Sequence, residues 1–176
     1  NKETKISIVR FGNVIGSAGS VLPIFKNQIL NKKPITITDE KATRYFMTIK
    51  EAVGLILEST TLKNSSHIFV LNMGNPIKII DIATNMIKSY GLTLSTLEKK
   101  GDIEIIFTGL KKGEKLHEEL YITNKVEKTS NKNILIAKEE YNKDINFNKL
   151  IEDIKNSKTI DDFNYIKKTI MNMVEK

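Results

Sequence analysis

The first thirty residues constrain the fold more than any other stretch. KISIVRFGNVIGSAGSVLPIFKNQI, residues 5–29, reads as a strand, a glycine-rich loop and a helix in immediate succession. Lys5 to Phe11 is rich in β-branched residues, and Gly12, Gly16 and Gly19 then break the run. Ser20 stands where a helix cap belongs, ahead of Leu22, Ile24, Phe25, Ile29 and Leu30 at helical spacing. A strand that delivers an amide side chain (Asn13) and a flexible loop to a helix start suits an anion or a nucleotide. The chain opens directly on this strand, which predicts that part of the site's chemistry lies upstream of residue 1.

The remaining elements alternate. Residues 34–38 (PITIT) predict a strand, 39–43 a polar turn and 44–48 an extended piece. Thr48 and Glu51 form a capping-box pattern for a helix from about Ile49 to Leu62, with Ile49, Val53, Ile56 and Leu57 on one face. Strands are expected at 67–72, 102–109 and 134–138, and a short strand before a helix that stops at Gly91. Residues 109–122 predict a turn running into a helical segment. The tail predicts two amphipathic helices, one around Phe147–Ile154 and one opened by Thr159 with Asp162. Strands alternating with helices indicate an α/β fold containing parallel strands.

Composition removes several classes of function. No run approaches the roughly 18 apolar residues of a membrane span. The absence of cysteine excludes disulfides and thiolate metal sites and agrees with a cytoplasmic location. His67 and His117 alone offer imidazole, so no metal site is expected. The net charge is +7, and residues 1–50 carry most of it through Lys2, Lys5, Arg10, Lys26, Lys32, Lys33, Lys41, Arg44 and Lys50. Either a basic rim around a phosphate site or a lysine-rich solvated surface accounts for that. Nucleic-acid binding would call for exposed aromatics among the cations or a known module, and neither is present.

RFGNVIGSAGSVLPIF, TRYFMTIKEA, IFVLNMG, IKIIDIA and FTGLKKGEKLHEEL follow one another over residues 5–140. In that order they resemble the carboxy-terminal half of CapD-like polysaccharide-biosynthesis enzymes. These are nucleotide-sugar 4,6-dehydratases of the extended short-chain dehydrogenase/reductase superfamily. FVLNMG and YFMT are closer to its long, membrane-anchored subgroup. The resemblance implies the C-terminal part of an NAD(P)-binding Rossmann-type domain with most of the substrate domain over 1–140, and a helical tail over 141–176. It implies a UDP-N-acetylglucosamine-like substrate converted to a 4-keto-6-deoxy sugar, with NAD or NADP held mainly by an N-terminal half, and a homo-oligomeric parent enzyme. A UDP-sugar 4-epimerase of the same superfamily and a non-catalytic basic binding module are the alternatives.

Carried onto this chain, the resemblance places Asn13 and Arg44 on the substrate diphosphate. Arg44 is one of two arginines among 28 cations, and a guanidinium grips phosphate in a fork that lysine cannot reproduce. A structural ion pair is the alternative reading of Arg44, and a turn asparagine bonded to its own loop is that of Asn13. Lys111 replaces the usual arginine of this family, and Lys112 its proline, which removes the fork and loosens the turn. Glu114 is expected on the ribose hydroxyls, or as an exposed acid near a helix start. Ser20 and Val21 are expected to offer backbone amides, and Val14 to pass near the nicotinamide. Gly12, Gly16 and Gly19 are not spaced as a dinucleotide fingerprint. Tyr121 and Lys125 mimic the superfamily's Y-x-x-x-K, but about 0.7 such pairs arise by chance here, and the true motif would precede the first strand. With no catalytic residue assigned, the chain alone is expected to be catalytically silent. Unpaired strand edges are expected to make it prone to association.

Overall fold

The computed structural model describes residues 6–17, 19–62, 67–120, 125–138 and 146–174. Two compact units divide the chain, Asn1–Lys138 and Glu139–Lys176.

In the first unit the opening strand is β1 (Ile8–Arg10), followed by β2 (Asn13–Val14), α1 (Val21–Leu30) and β3 (Ile35–Ile37). Next come β4 (Thr43–Arg44), β5 (Phe46–Met47), α2 (Ile49–Ser59), β6 (Ile68–Leu71), β7 (Ile77–Lys78) and α3 (Ile79–Ser89). The unit closes with β8 (Ile105–Phe107), β9 (Val126–Lys128) and β10 (Ile134–Ala137). A four-stranded sheet runs in the order β1-β6-β10-β9, with β1 parallel to β6 and the other two pairs antiparallel. Three two-stranded ladders complete the unit: β2 with β5 and β3 with β8 in parallel, and β4 with β7 antiparallel. This is the α/β architecture with parallel strands that the alternation predicts.

Two apolar clusters hold these layers. Phe25 and Ile29 of α1, Ile35 and Ile37 of β3, and Ile79, Ala83 and Ile87 of α3 are buried together with Ala42 and Ile103. The second joins Met47, Ala52, Phe69, Leu71, Met73, Ile134 and Ile136. Burying each such large side chain is worth about 1.5–3 kcal/mol, which is what fixes the short ladders around them. Gly12 lies against the second cluster. A Cβ there would stand 3.1 Å from the Met73 sulfur and from Tyr45 Cβ, so any larger residue would press on both.

Four expectations are corrected. The α2 capping box forms as read: Thr48 Oγ1 accepts from the Glu51 amide and Glu51 Oε2 accepts from the Thr48 amide. The helix, however, turns a different face inward. Ala52 and Ser59 are buried and Leu55 and Ile56 half-buried, while Ile49, Val53 and Leu57 are 50–63% exposed. Ala52 joins the second apolar cluster, and the buried Ser59 hydroxyl is satisfied by donating to Ile56 O at 2.7 Å.

No helix forms over 111–120. The Leu116 carbonyl that would accept within a helix is taken by the Thr43 amide at 3.1 Å and by Arg44, and His117 bridges to Thr43 beside β4. Tertiary pairing overrides helical propensity here. Residues 121–124 lie outside the described segments, Tyr121 of the Y-x-x-x-K mimic among them.

Ser20 does not cap α1 with its side chain. Pro23 occupies the third helical position, so the backbone N–H that a capping serine most often accepts from is missing. Lastly, Asn13–Val14 is a short strand rather than loop, and β9 has no counterpart in the sequence reading.

The second unit contains α4 (Phe147–Asn156) and α5 (Ile160–Val174), which pack on each other. Asn146 caps α4 by accepting from the Lys149 amide, and Thr159 caps α5 by accepting from the Asp162 amide. No helix among the described residues is long and apolar enough to cross a membrane.

Candidate functional site

Arg44 ends β4, whose pairing with β7 sets Arg44 opposite Ile77. Its guanidinium makes three hydrogen bonds and two ion pairs. Nη1 donates to Thr43 O at 2.8 Å and Leu116 O at 3.1 Å, Nη2 to Glu114 Oε1 at 3.2 Å, and Nε lies 3.2 Å from Glu118 Oε2. The side chain is only 13% exposed. The structural ion pair named as the alternative reading of Arg44 is therefore present, and it holds the fork rigid at one place in the fold.

Glu114 is fixed from three sides. Its Oε1 accepts from Thr38 Oγ1 at 2.8 Å as well as from Arg44, and its Oε2 accepts from the Lys111 amide at 3.1 Å. The 111–114 turn that brings this about needs a left-handed residue, and Gly113 supplies it at φ +84°. Burial pushes the Glu114 carboxyl up. The Thr38 hydroxyl, the Lys111 amide and the charges of Arg44 and Lys111 outweigh that, leaving its pKa below the ordinary value.

A cavity of about 170 Å³ opens beside this cluster, lined in part by Asn13, Val21, Thr36, Thr38, Arg44 and Glu114. Asn13 reaches it from β2, where its amide donates to Tyr45 O at 3.0 Å. Its side-chain amide has no hydrogen-bond partner among the described residues, so the local loop bond of a turn asparagine is not made there. Val21 brings in the first turn of α1. Ser20 Oγ just before it is buried without a hydrogen-bond partner among the described residues, and the Ser20 amide donates to Ser17 O.

The chain thus brings together Asn13, Val21, Arg44 and Glu114 from three distant stretches. Lys111 joins through its backbone amide, with its side chain exposed and outside the cavity lining. Val14 turns away, packing against the Met47 and Phe69 cluster. Of the expected basic rim only Arg44 lines the cavity among the described residues, and Lys2 and Lys5 lie outside them. Lys26, Lys32, Lys33, Lys41 and Lys50 are exposed and none lines this cavity, which fits the solvated-surface reading. Sequence reasoning missed Thr38 and Glu118. Thr38 closes the PITIT run and Glu118 lies inside GEKLHEEL, but only the tertiary fold shows that Thr38 meets Glu114 and Glu118 meets Arg44.

The cavity is smaller than the roughly 300–1,000 Å³ of sites that enclose a whole small-molecule ligand. It suits one polar end of a ligand: an amide donor, a guanidinium and a carboxylate converge on an oxygen-rich group. A larger cavity of about 620 Å³, lined by Lys50, Asn72, Met73, Asn131 and Asn133 among others, contains none of these residues. Val14, the residue expected near a nicotinamide, is not part of the smaller cavity's lining.

Comparison with known proteins bears on the same segment. The family described as "Polysaccharide biosynthesis protein" matches residues 1–139. The chain is 48% identical over 126 residues to the capsular polysaccharide biosynthesis protein CapD of Staphylococcus aureus, covering 72% of this chain and 20% of that one. It is 49% identical over 123 residues to the probable polysaccharide biosynthesis protein EpsC of Bacillus subtilis, covering 70% and 20%. Among solved structures, Pen from Bacillus thuringiensis is 39% identical, with a TM-score of 0.56 over 66% of this chain and 33% of that one. More distant relatives include an inverting UDP-N-acetylglucosamine 4,6-dehydratase of Campylobacter jejuni, 35% identical over 67% of this chain and 31% of that one. A UDP-glucose 4-epimerase of Rickettsia rickettsii is 32% identical over 72% and 34%. The chain spans about a fifth of the length of the CapD and EpsC proteins it matches. On a match covering most of its length, this chain belongs to the polysaccharide biosynthesis protein family, CapD-like members of the extended short-chain dehydrogenase/reductase fold.

Proposed function

We propose that this chain forms the diphosphate- and ribose-facing part of the substrate site of a UDP-sugar 4,6-dehydratase. One observation carries the reading: Asn13, Arg44 and Glu114, which the sequence resemblance picks out independently, line one cavity. In this reading Arg44 supplies the charge for the diphosphate, the unbonded Asn13 amide donates to a phosphate oxygen, and Glu114 accepts from ribose hydroxyls. Lys111 adds its charge from outside the lining. The sugar is UDP-N-acetylglucosamine or a close relative, as in the Campylobacter relative's name.

The whole enzyme would form a 4-keto-6-deoxy sugar, with the dinucleotide supplying and recovering hydride. This chain's share is binding and orientation, and it forms no keto product by itself. The epimerase relative supports a second reading, a UDP-sugar 4-epimerase. Both use the same nucleotide grip, so a product assay on the full-length enzyme separates them.

Calorimetric titration with UDP and UDP-N-acetylglucosamine tests the binding role. Arg44→Ala is expected to weaken both by at least about tenfold. Equal binding by the variant would refute the assignment, and a steep loss of affinity with salt that is indifferent to Arg44 would point to a basic binding module instead.

A further inference from the structure

Arg44 faces two carboxylates that are held very differently. Glu114 has Thr38, the Lys111 amide and Arg44 as partners, and its side chain is 24% exposed. Glu118 has Arg44 alone among the described residues, through one 3.2 Å contact to Nε, and its side chain is 41% exposed. With Lys111 beside Glu114, the cluster of Arg44, Lys111, Glu114 and Glu118 is formally neutral. An anion added to it gains little attraction while both carboxylates stay. An arginine also presents a limited number of N–H donors in a fixed plane; here Nη1 and Nη2 already donate to protein acceptors, and Nε lies within ion-pair distance of Glu118.

We propose that Glu118 is a built-in competitor for the Nε edge of Arg44, and that a nucleoside diphosphate binds by displacing it. The proposal rests on the reading of Arg44 as the diphosphate residue. Glu118 is the carboxylate that leaves, because a single half-exposed ion pair is worth little and water can replace it. Glu114 stays, because leaving would strand the Thr38 hydroxyl and the Lys111 amide. With no ligand, Glu118 keeps the guanidinium aimed and its charge compensated in a mostly buried setting. With a ligand, the phosphate takes the place of Glu118 beside Nε, and the net charge of the site rises by one as Glu118 swings into solvent. Glu118 is therefore a positioning residue that lowers anion affinity in exchange for a preformed fork.

The test is calorimetric titration of the 176-residue chain with UDP, inorganic pyrophosphate and uridine, for the wild type, Glu118→Gln, Glu118→Ala and Arg44→Gln. Melting curves confirm that each variant is folded, and the exposure of Glu118 favours that for both of its substitutions. Glu118→Gln is expected to tighten UDP and pyrophosphate by about twofold to fivefold, the worth of one such ion pair. Uridine, which carries no phosphate, should be unaffected, and Glu118→Gln combined with Arg44→Gln should lose the gain. A purely structural role would give weaker binding or none of this anion dependence. UDP affinity that is unchanged or lower in both Glu118 variants, with binding still abolished by Arg44→Gln, overturns the competitor and leaves the nucleotide site standing. Binding that ignores Arg44, or no binding by any form, overturns the nucleotide reading and this proposal with it.

Discussion

Arg44 and Glu114 are 70 residues apart in sequence and meet at 3.2 Å, where Glu114 also accepts from Thr38 and from the Lys111 amide. The contact ties β4 to the turn around Gly113 and gives the cavity its charged wall. It is both a structural ion pair and, in the function proposed, the grip on a ligand, so stability and binding should respond together when it is altered.

Glu114→Gln tests that coupling through pH. The Glu114 carboxyl titrates below its ordinary 4.5, so the charge it carries in the folded state stabilises the protein fully above that value. The contribution is lost as pH falls through the lowered folded pKa. At pH 7 the variant is expected to cost about 1–2 kcal/mol in denaturant melts. The difference from wild type should shrink as pH falls from 4.5 through the lowered folded-state value, below which the wild-type carboxyl is protonated too. A difference that stays constant down to pH 3 would mean that the charge of Glu114 is not what stabilises the turn.

Asn13→Ala separates binding from folding. The side-chain amide has no partner among the described residues, while the backbone amide keeps β2 on Tyr45. Stability should change by less than about 0.5 kcal/mol. UDP affinity should fall about tenfold to a hundredfold, as for loss of one hydrogen bond to a charged group. A large loss of stability in melting experiments would show that Asn13 holds its own loop instead.

Thr48→Ala tests the local capping argument. Removing the hydroxyl that accepts from the Glu51 amide should cost about 1 kcal/mol by thermal or urea unfolding. Glu51→Ala should cost less, since Thr48 keeps its half of the box.

The α2 stripe gives a prediction of opposite sign. Ile49, Val53 and Leu57 are 50% or more exposed, so replacing them by Lys, Glu and Lys should leave melting temperature nearly unchanged. The replacement should reduce binding of a hydrophobic dye and any concentration-dependent association seen by light scattering. A collapse of stability would show that the stripe is buried in solution.

That stripe also shows where sequence reading stops. Counting large apolar residues at helical spacing puts Ile49, Val53, Ile56 and Leu57 on one face, of which only Ile56 is half-buried, whereas the helix buries the small residues Ala52 and Ser59. The helix itself was legible, since Thr48 and Glu51 signal its start within four residues. α1 was legible from the same kind of local pattern, but not the failure of Ser20 to cap it, which depends on Pro23 lacking an N–H. Residues 111–120 read as helical because helical propensity is local and the pairing of Leu116 with Thr43 is not.

For the site, the single arginine in TRYFMT and the glutamate of KKGEK could be singled out from residue type and resemblance. Their mutual contact, and the part of Thr38 and Glu118 in it, depend on strand pairings that bring residues 36–44 against 107–118. Lys111 is expected to act through its charge, and the structure adds a contact from its backbone amide to Glu114 that any residue at 111 other than proline could make.

The most direct test of the account is nitrogen–proton correlation NMR of the chain titrated with UDP. The account predicts the largest shifts at the Asn13 side-chain amide, Arg44 Nε, and the backbone amides of Thr38, Lys111 and Glu114. Shifts that instead gather on Lys50, Asn72, Asn131 and Asn133, around the larger cavity, would contradict it, as would a spectrum that UDP leaves unchanged.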